Sequence, residues 1–232
     1  MRELIVVRHG QTEWNLAGRV QGTNDSPLTT LGRAQARDHA VRLGALMPRP
    51  ERIISSPLGR ARATAVLISS HLECSVEYSE ALRERSVGVL EGRTHAWVAE
   101  HEPALHADKQ ARPWRWRPPQ GESLADVEMR LRPFLHDLLL RSFQRLVLVT
   151  HSALVRPLFR ELLQLDPDMA ADIDMSNEIA YRIDLTRALP TVCEVGPDGE
   201  RSGWRSGALS RAVNYDPGSR PVPRGDDAPI DQ

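Results

Sequence analysis

The sequence predicts an α/β fold: a mostly parallel central sheet with helices on both of its faces. Short apolar runs that read as buried strands alternate with longer stretches whose apolar residues recur every three or four positions. No internal repeat breaks that alternation, and no apolar run approaches the ~20 residues needed to span a bilayer.

The elements follow in chain order. "ELIVV" (3–7) reads as the first buried strand. "TTLGRAQARDHAVRLGAL" (29–46) reads as a helix capped by threonine, and "RIIS" (52–55) as the second strand. "SPLGRARATAVLISSHL" (56–72) is expected to be a helix with Ser56 as N-cap and Pro57 at its first helical position. In "ESLADVEMRLRPFLHDLLL" (122–140) Ser123 and Asp126 have capping-box spacing, and Pro133 is expected to kink the helix. "RLVLVT" (145–150) is a third buried strand, followed beyond His151 by the helical run "ALVRPLFRELLQL". "EIAYRIDL" (178–185) alternates and reads as a fourth strand, while "TVCEV", "GPDGE" and "RSGWR" suggest a marginal hairpin. These segments set one domain over 1–213, and the Pro/Gly/Asp-rich stretch 214–232 reads as a flexible tail.

Composition narrows the function classes. A net charge of −1 across 232 residues gives no global field for nucleic acid or an anionic membrane surface. Cys74 and Cys193 are too few for a disulfide framework and lack metal-ligand spacing, which fits a cytoplasmic setting. Lys109 is the only lysine, and a GC-rich genome explains the arginine excess as well as function does, so only specially placed arginines carry information. "HEPALH" (101–106) is no zinc-protease helix, because histidines five apart lie ~140° apart around the axis. "RPWRWRPP" (112–119) admits three readings: a loop packed by its tryptophans, a lid over a substrate, or a base-stacking strip. Its shortness and bounding prolines argue against nucleic acid.

In open parallel sheets ligands bind beyond the carboxyl ends of the strands. Strand one ends in Arg8-His9, strand two leads through "SPLGR" to Arg60, and the strand "RLVLVT" ends at His151. Three strand ends thus bring two guanidinium forks and two imidazoles to one sheet edge, a receptor for a phosphoryl group. Arg60 and Arg62 lie ~200° apart on their helix, so only one of them can face that edge.

The motifs "RHGQTEWN" (8–15), "GRVQGTNDSPLTTLGRAQA" (18–36), "SSPLGRARATA" (55–65), "LRERSVGVLEG" (82–92), "GESLADV" (121–127) and "VTHSALVR" (149–156) occur in a telling order. From Arg2 to about Leu185 the chain resembles the histidine phosphatase superfamily, the phosphoglycerate mutase-like proteins, whose fold is a three-layer sandwich. The resemblance implies His9 as nucleophile, Arg8 and Arg60 as phosphate-binding arginines, His151 as the second pocket histidine and Glu84 as proton donor. It places Asn15, Gln21 and Gly22 at phosphate and substrate contacts. Ser152 stands where many relatives have glycine, although some phosphatases of the family carry a small hydroxyl residue there.

The chemistry these roles imply needs a neutral His9 that attacks phosphorus in line, with guanidiniums neutralising the equatorial oxygens in place of a metal ion. Glu84 would protonate the leaving oxygen, which asks for burial or a neighbouring anionic phosphate to keep the carboxyl protonated. No cofactor and no metal is implied; the expected partner is a small-molecule phosphomonoester substrate, and the oligomeric state is not written in the motifs. Glu84 and Glu122 stand only 38 positions apart, a spacing that resembles the compact phosphatases rather than the mutases with their longer insertion. A phosphoglycerate mutase and a non-catalytic phospho-ligand-binding protein are the alternatives.

Overall fold

The computed structural model describes residues 1–206 and 212–213, so the expected tail lies outside the described residues. The chain begins with β1 (Glu3–Arg8), α1 (Glu13–Leu16), α2 (Thr30–Gly44), β2 (Arg52–Ser55), α3 (Gly59–Leu72) and β3 (Ser75–Tyr78). Two 3₁₀ turns, Glu80–Leu82 and Gly88–Leu90, lead to α4 (His95–His101), α5 (Pro103–Ala111) and α6 (Leu124–Leu140). Then come β4 (Arg145–Thr150), α7 (Ser152–Leu163), α8 (Pro167–Ala171), β5 (Ile173–Asp174), β6 (Ala180–Asp184), β7 (Thr191–Gly196), β8 (Gly199–Ser202), β9 (Trp204–Ser206) and β10 (Ala212–Val213).

The main sheet has seven strands in the order β3-β2-β4-β1-β6-β7-β8. Its first four are parallel, and from β1 onward every pairing is antiparallel. The sheet is therefore mixed around a parallel core. After α7 the chain climbs back through α8 and β5 to the carboxyl edge, where the Met175 carbonyl accepts from Arg8 at 2.6 Å. β6 must then enter from that edge and run down, antiparallel to β1. The suggested hairpin is β7-β8, and the short strands β10-β9-β5 form a second sheet.

The alternation of β1 explains the layering. Leu4 and Val6 pack with Val127, Leu131 and Leu135 of α6 and Leu154, Leu158 and Phe159 of α7. Ile5 and Val7 point the other way, into Ala40 and Leu43 of α2 and Ala61, Ala65 and Ile68 of α3. Every residue of β4 is buried, as a strand covered on both faces requires. β3 escaped the sequence reading because "SVEY" is a largely exposed edge strand whose Glu77 pairs with Arg52 at 3.0 Å.

Two capping expectations hold and one does not. The Thr29 hydroxyl accepts from Gly32 N–H at 2.9 Å, and Ser123 and Asp126 form a reciprocal capping box. Ser56, however, does not cap α3, and Pro57 is not its first residue: the helix starts at Gly59 behind Leu58, which makes no side-chain cap. The Asp25 carboxylate does the capping, accepting from the N–H groups of Gly59 and Arg60. A carboxylate from a distant loop satisfies those donors and suits the positive end of the helix, leaving Ser56 free for another bond. Pro133 sits inside α6, which runs on through it to Leu140.

Candidate active site

Arg8 and His9 emerge from the carboxyl end of β1, held by its neighbours. His9 N–H donates to the Thr150 carbonyl at 3.0 Å, and Asn177 Nδ2 donates to the His9 carbonyl at 2.5 Å. A Cβ on Gly10 would stand 2.2 Å from the Gly32 carbonyl oxygen, so glycine there is what lets α2 pack directly under the loop.

The hydrogen bonds fix the tautomer of His9. Its Nδ1 lies 2.8 Å from the Gly10 carbonyl, which can only accept, so Nδ1 carries the proton. Nε2 therefore presents its lone pair, and Arg60 Nε–H donates to it at 3.2 Å. Burial, reinforced by Arg8 and then Arg60, holds the imidazole pKa well below the usual histidine value. His9 is thus neutral at physiological pH.

Arg60, only 2% exposed, is clamped by the loop after α1. It donates from Nη2 to the Gly22 carbonyl at 2.8 Å, and from Nη1 to the Asn24 carbonyl at 2.7 Å and Asp25 Oδ1 at 3.1 Å. Gly22 has φ +56°, and a Cβ there would meet the Glu91 carboxylate at 2.2 Å, so this turn needs glycine twice over. Arg62 lies on the opposite side of α3, exposed, with its guanidinium 4.4 Å from the Tyr78 ring centre.

His151, fully buried, sits one residue ahead of α7 with its ring centre 5.2 Å from that of His9. Its Nε2 shares a 2.7 Å hydrogen bond with the Ser56 hydroxyl, and Nδ1 has no partner among the described residues. Burial, then Arg60 and His9, push its pKa well down. Glu84 faces α7 from the loop after β3. Its Oε2 accepts from Ala153 N–H at 3.4 Å and its Oε1 from Arg85 N–H at 2.8 Å.

A cavity of about 320 Å³ opens over this floor, lined by Arg8, His9, Asn15, Gln21, Gly22, Arg60, Glu84 and Ser152. Eight of the nine residues singled out from sequence thus share one cavity, and His151 lies behind His9. Asn15 and Gln21 are partly committed within the loop: Asn15 Oδ1 accepts from Thr12 N–H at 3.1 Å, and Gln21 Oε1 from the Ser26 hydroxyl at 3.2 Å.

Sequence reasoning missed Arg19, Arg85, His95, Lys109 and Arg156, which line the same cavity. Arg156 had a usable signal, since it follows Ser152 by four residues and so shares its helix face. Lys109 and His95 had none, because α5 and α4 are short and their place over the site is a tertiary fact. The Arg/Trp segment resolves toward packing: Trp114 is buried in the main core, and Trp116 is 3% exposed against Val87 and Leu90. Neither indole is free to stack on a base. Among the described residues no cluster of His, Cys, Asp and Glu is suited to a metal ion, and no helix is long and apolar enough to cross a membrane.

Comparison with known proteins points to one family. The family model of the histidine phosphatase superfamily (branch 1) matches residues 4–196. The probable phosphoglycerate mutase GpmB of Proteus mirabilis is 36% identical over 185 residues, 79% of this chain and 85% of the relative. The mycobacterial glucosyl-3-phosphoglycerate phosphatase, solved with VO3, superposes with a TM-score of 0.72 at 33% identity, covering 79% of this chain and 91% of that one. A phosphoserine phosphatase variant of Entamoeba histolytica, in complex with phosphoserine, gives 0.72 at 28% identity over 83% and 95% of the two chains. With its motifs in order along one fold and its arginines and histidines gathered at one sheet edge, the chain belongs to the histidine phosphatase superfamily.

Proposed function

We propose that this protein hydrolyses phosphomonoesters without a metal ion, through a phosphohistidine on His9. The observation that carries the reading is the neutral His9 ring, its Nδ1 proton tied to Gly10 and its Nε2 lone pair turned toward Arg60 at the cavity floor. Nε2 attacks phosphorus, the ester P–O bond breaks, and the leaving oxygen takes a proton from the Glu84 carboxyl. Water then attacks the P–N bond, Glu84 takes its proton back, and inorganic phosphate leaves a regenerated His9. Arg8 and Arg60 neutralise the equatorial oxygens throughout, the task a divalent cation performs in other phosphoryl-transfer sites.

The name of the Proteus relative favours a second reading, transfer of the phosphoryl group back to a sugar acid. Against it stands the short path from Glu84 to Glu122, which leaves little chain to seal the phosphoenzyme from water. One experiment separates the readings. Wild-type protein is incubated with a panel of phosphomonoesters in excess EDTA, and both inorganic phosphate and isomerised ester are measured, alongside trapping of an acid-labile phosphoenzyme. Phosphate release with a His9-dependent phosphoenzyme supports hydrolysis. Isomerised ester without phosphate release supports the mutase. Complete loss in EDTA, restored by Mg²⁺ or Zn²⁺, overturns the metal-free mechanism.

A further inference from the structure

His151 and Ser56 each stand one residue beyond the end of a strand. β4 ends at Thr150 and β2 at Ser55, and the two run parallel as neighbours with Ser55 opposite Val149. The residues that leave them therefore meet, and His151 Nε2 lies 2.7 Å from the Ser56 hydroxyl oxygen. Both residues are fully buried. The backbone of Ser56 is pinned as well. Its N–H donates to the Val149 carbonyl at 2.9 Å, and its carbonyl accepts from the Ser55 hydroxyl at 2.9 Å.

Counting donors decides which way the proton runs between them. The Ser56 oxygen already accepts from Leu58 N–H at 3.3 Å, and the intervening Pro57 has no N–H to compete. The hydroxyl proton is then free to donate, and among the described residues His151 Nε2 is the acceptor it meets. Were Nε2 the donor instead, that hydroxyl proton and the Nδ1 lone pair would both be buried unmet. With Ser56 donating, a single group is left over, the His151 Nδ1–H. Burial, then Arg60 and His9, keep the ring neutral, so this is its only ring N–H.

A buried N–H without an acceptor is costly, and this one belongs to the ring whose centre lies 5.2 Å from that of His9. We infer that Ser56 is a positioning residue: its hydroxyl locks His151 in the Nδ1–H tautomer, so that the ring donates to the phosphoryl group that His9 attacks. The inference rests on the floor being the phosphoryl site. The two histidines then hold the same tautomer for opposite tasks. His9, fixed by the Gly10 carbonyl, turns a lone pair to phosphorus; His151, fixed by Ser56, turns a proton to an oxygen on it. With its proton on Nε2, His151 would meet that oxygen with a lone pair and repel the anion. Ser56 does not line the cavity, so it acts only through the ring.

Two readouts that need no turnover test this. Heteronuclear NMR of the ring nitrogens at neutral pH, with His151 assigned against His151→Gln, shows Nδ1 protonated and Nε2 bare in the wild type. In Ser56→Ala the ring passes to the Nε2–H form or to a mixture, and Ser56→Thr, which keeps the hydroxyl, restores the wild-type signature. Calorimetry with vanadate, a mimic of phosphorus in mid-transfer, gives binding about 10–100-fold weaker in Ser56→Ala, as expected when a bond to an anion is lost. In a His151→Gln background Ser56→Ala weakens vanadate no further. A protonated Nε2 in the wild type overturns the inference whether or not any variant folds. So does a Ser56→Ala variant that keeps both tautomer and vanadate affinity. Equal weakening with and without His151, the mark of a merely structural serine, overturns it too. Phosphate release is followed in parallel, and its absence beside the wild-type tautomer and vanadate binding would count against the hydrolase reading, not against Ser56.

Discussion

At the floor of the cavity Arg60 and His9 are already committed. The Arg60 guanidinium donates to two carbonyls, a carboxylate and an imidazole, and His9 has both ring nitrogens engaged. At the mouth, Lys109 and His95 are exposed on short helices. The floor is ordered by backbone carbonyls of the loops after β1 and α1, so its geometry exists before any ligand arrives. The mouth is carried by the short helices α4 and α5, with the Lys109 ammonium 5.8 Å from the Trp116 ring centre. A preorganised floor suits a step whose barrier depends on fixed charges, and a looser rim suits choosing among alcohols.

The sharpest way to break this contrast is to remove the proposed nucleophile. His9→Ala should lower turnover by on the order of 10⁴ or more and abolish the acid-labile phosphoenzyme. A variant that still labels from substrate would place the nucleophile elsewhere.

Next comes the arginine that joins helix to floor. Arg60→Ala should cost on the order of 10²–10⁴ in kcat. Because it strips the partner from two carbonyls and Asp25, circular dichroism and thermal melting must first show a folded variant. Arg60→Lys, a point charge without the fork, should recover only part of the rate.

The floor's histidines also set an acid limit on stability. His9 and His151 titrate well below the ordinary histidine value, and His39, buried beside Arg42, is lowered to about 4. All three bind protons more readily unfolded than folded, so their contribution is complete above about 6.5 and lost as pH falls below it. His39 alone should forfeit about 3 kcal/mol between pH 6.5 and about 4. Urea unfolding at pH 7 and pH 5 measures this. A midpoint unchanged over that interval would mean the rings are not buried as neutral species.

The smallest effect is the control. Arg62→Ala removes a guanidinium two residues from Arg60 but on the Tyr78 side of α3, and should change kcat by no more than about threefold. The reverse ranking of Arg60 and Arg62 would mean that α3 is rotated from the phase described.

What could be read from sequence follows the same division. The strands ending at Arg8 and Thr150 are continuous apolar runs, and their ends announce Arg8, His9 and His151 at one edge. Arg60 was legible from helix phase combined with motif order. Ser56 misled because serine before proline is a common cap signal, whereas its hydroxyl goes to His151 at the end of the neighbouring strand. The direction of β6 was also beyond reach, since an alternating apolar pattern is the same for either orientation. Lys109, His95 and the Asp25 cap depend on polar side chains from separate segments meeting, and no periodicity encodes such meetings.

Asp25 has a consequence for the lifetime of the site. The loop that carries it also supplies the Gly22 and Asn24 carbonyls to Arg60, and its carboxylate closes the first turn of α3. That loop cannot swing out while Arg60 stays poised, so its opening and the dismantling of the proposed phosphate pocket are a single event. Amide hydrogen exchange at Gly22 to Asp25 would then work as a clock for the competent state, slowing when an anion such as vanadate occupies the floor.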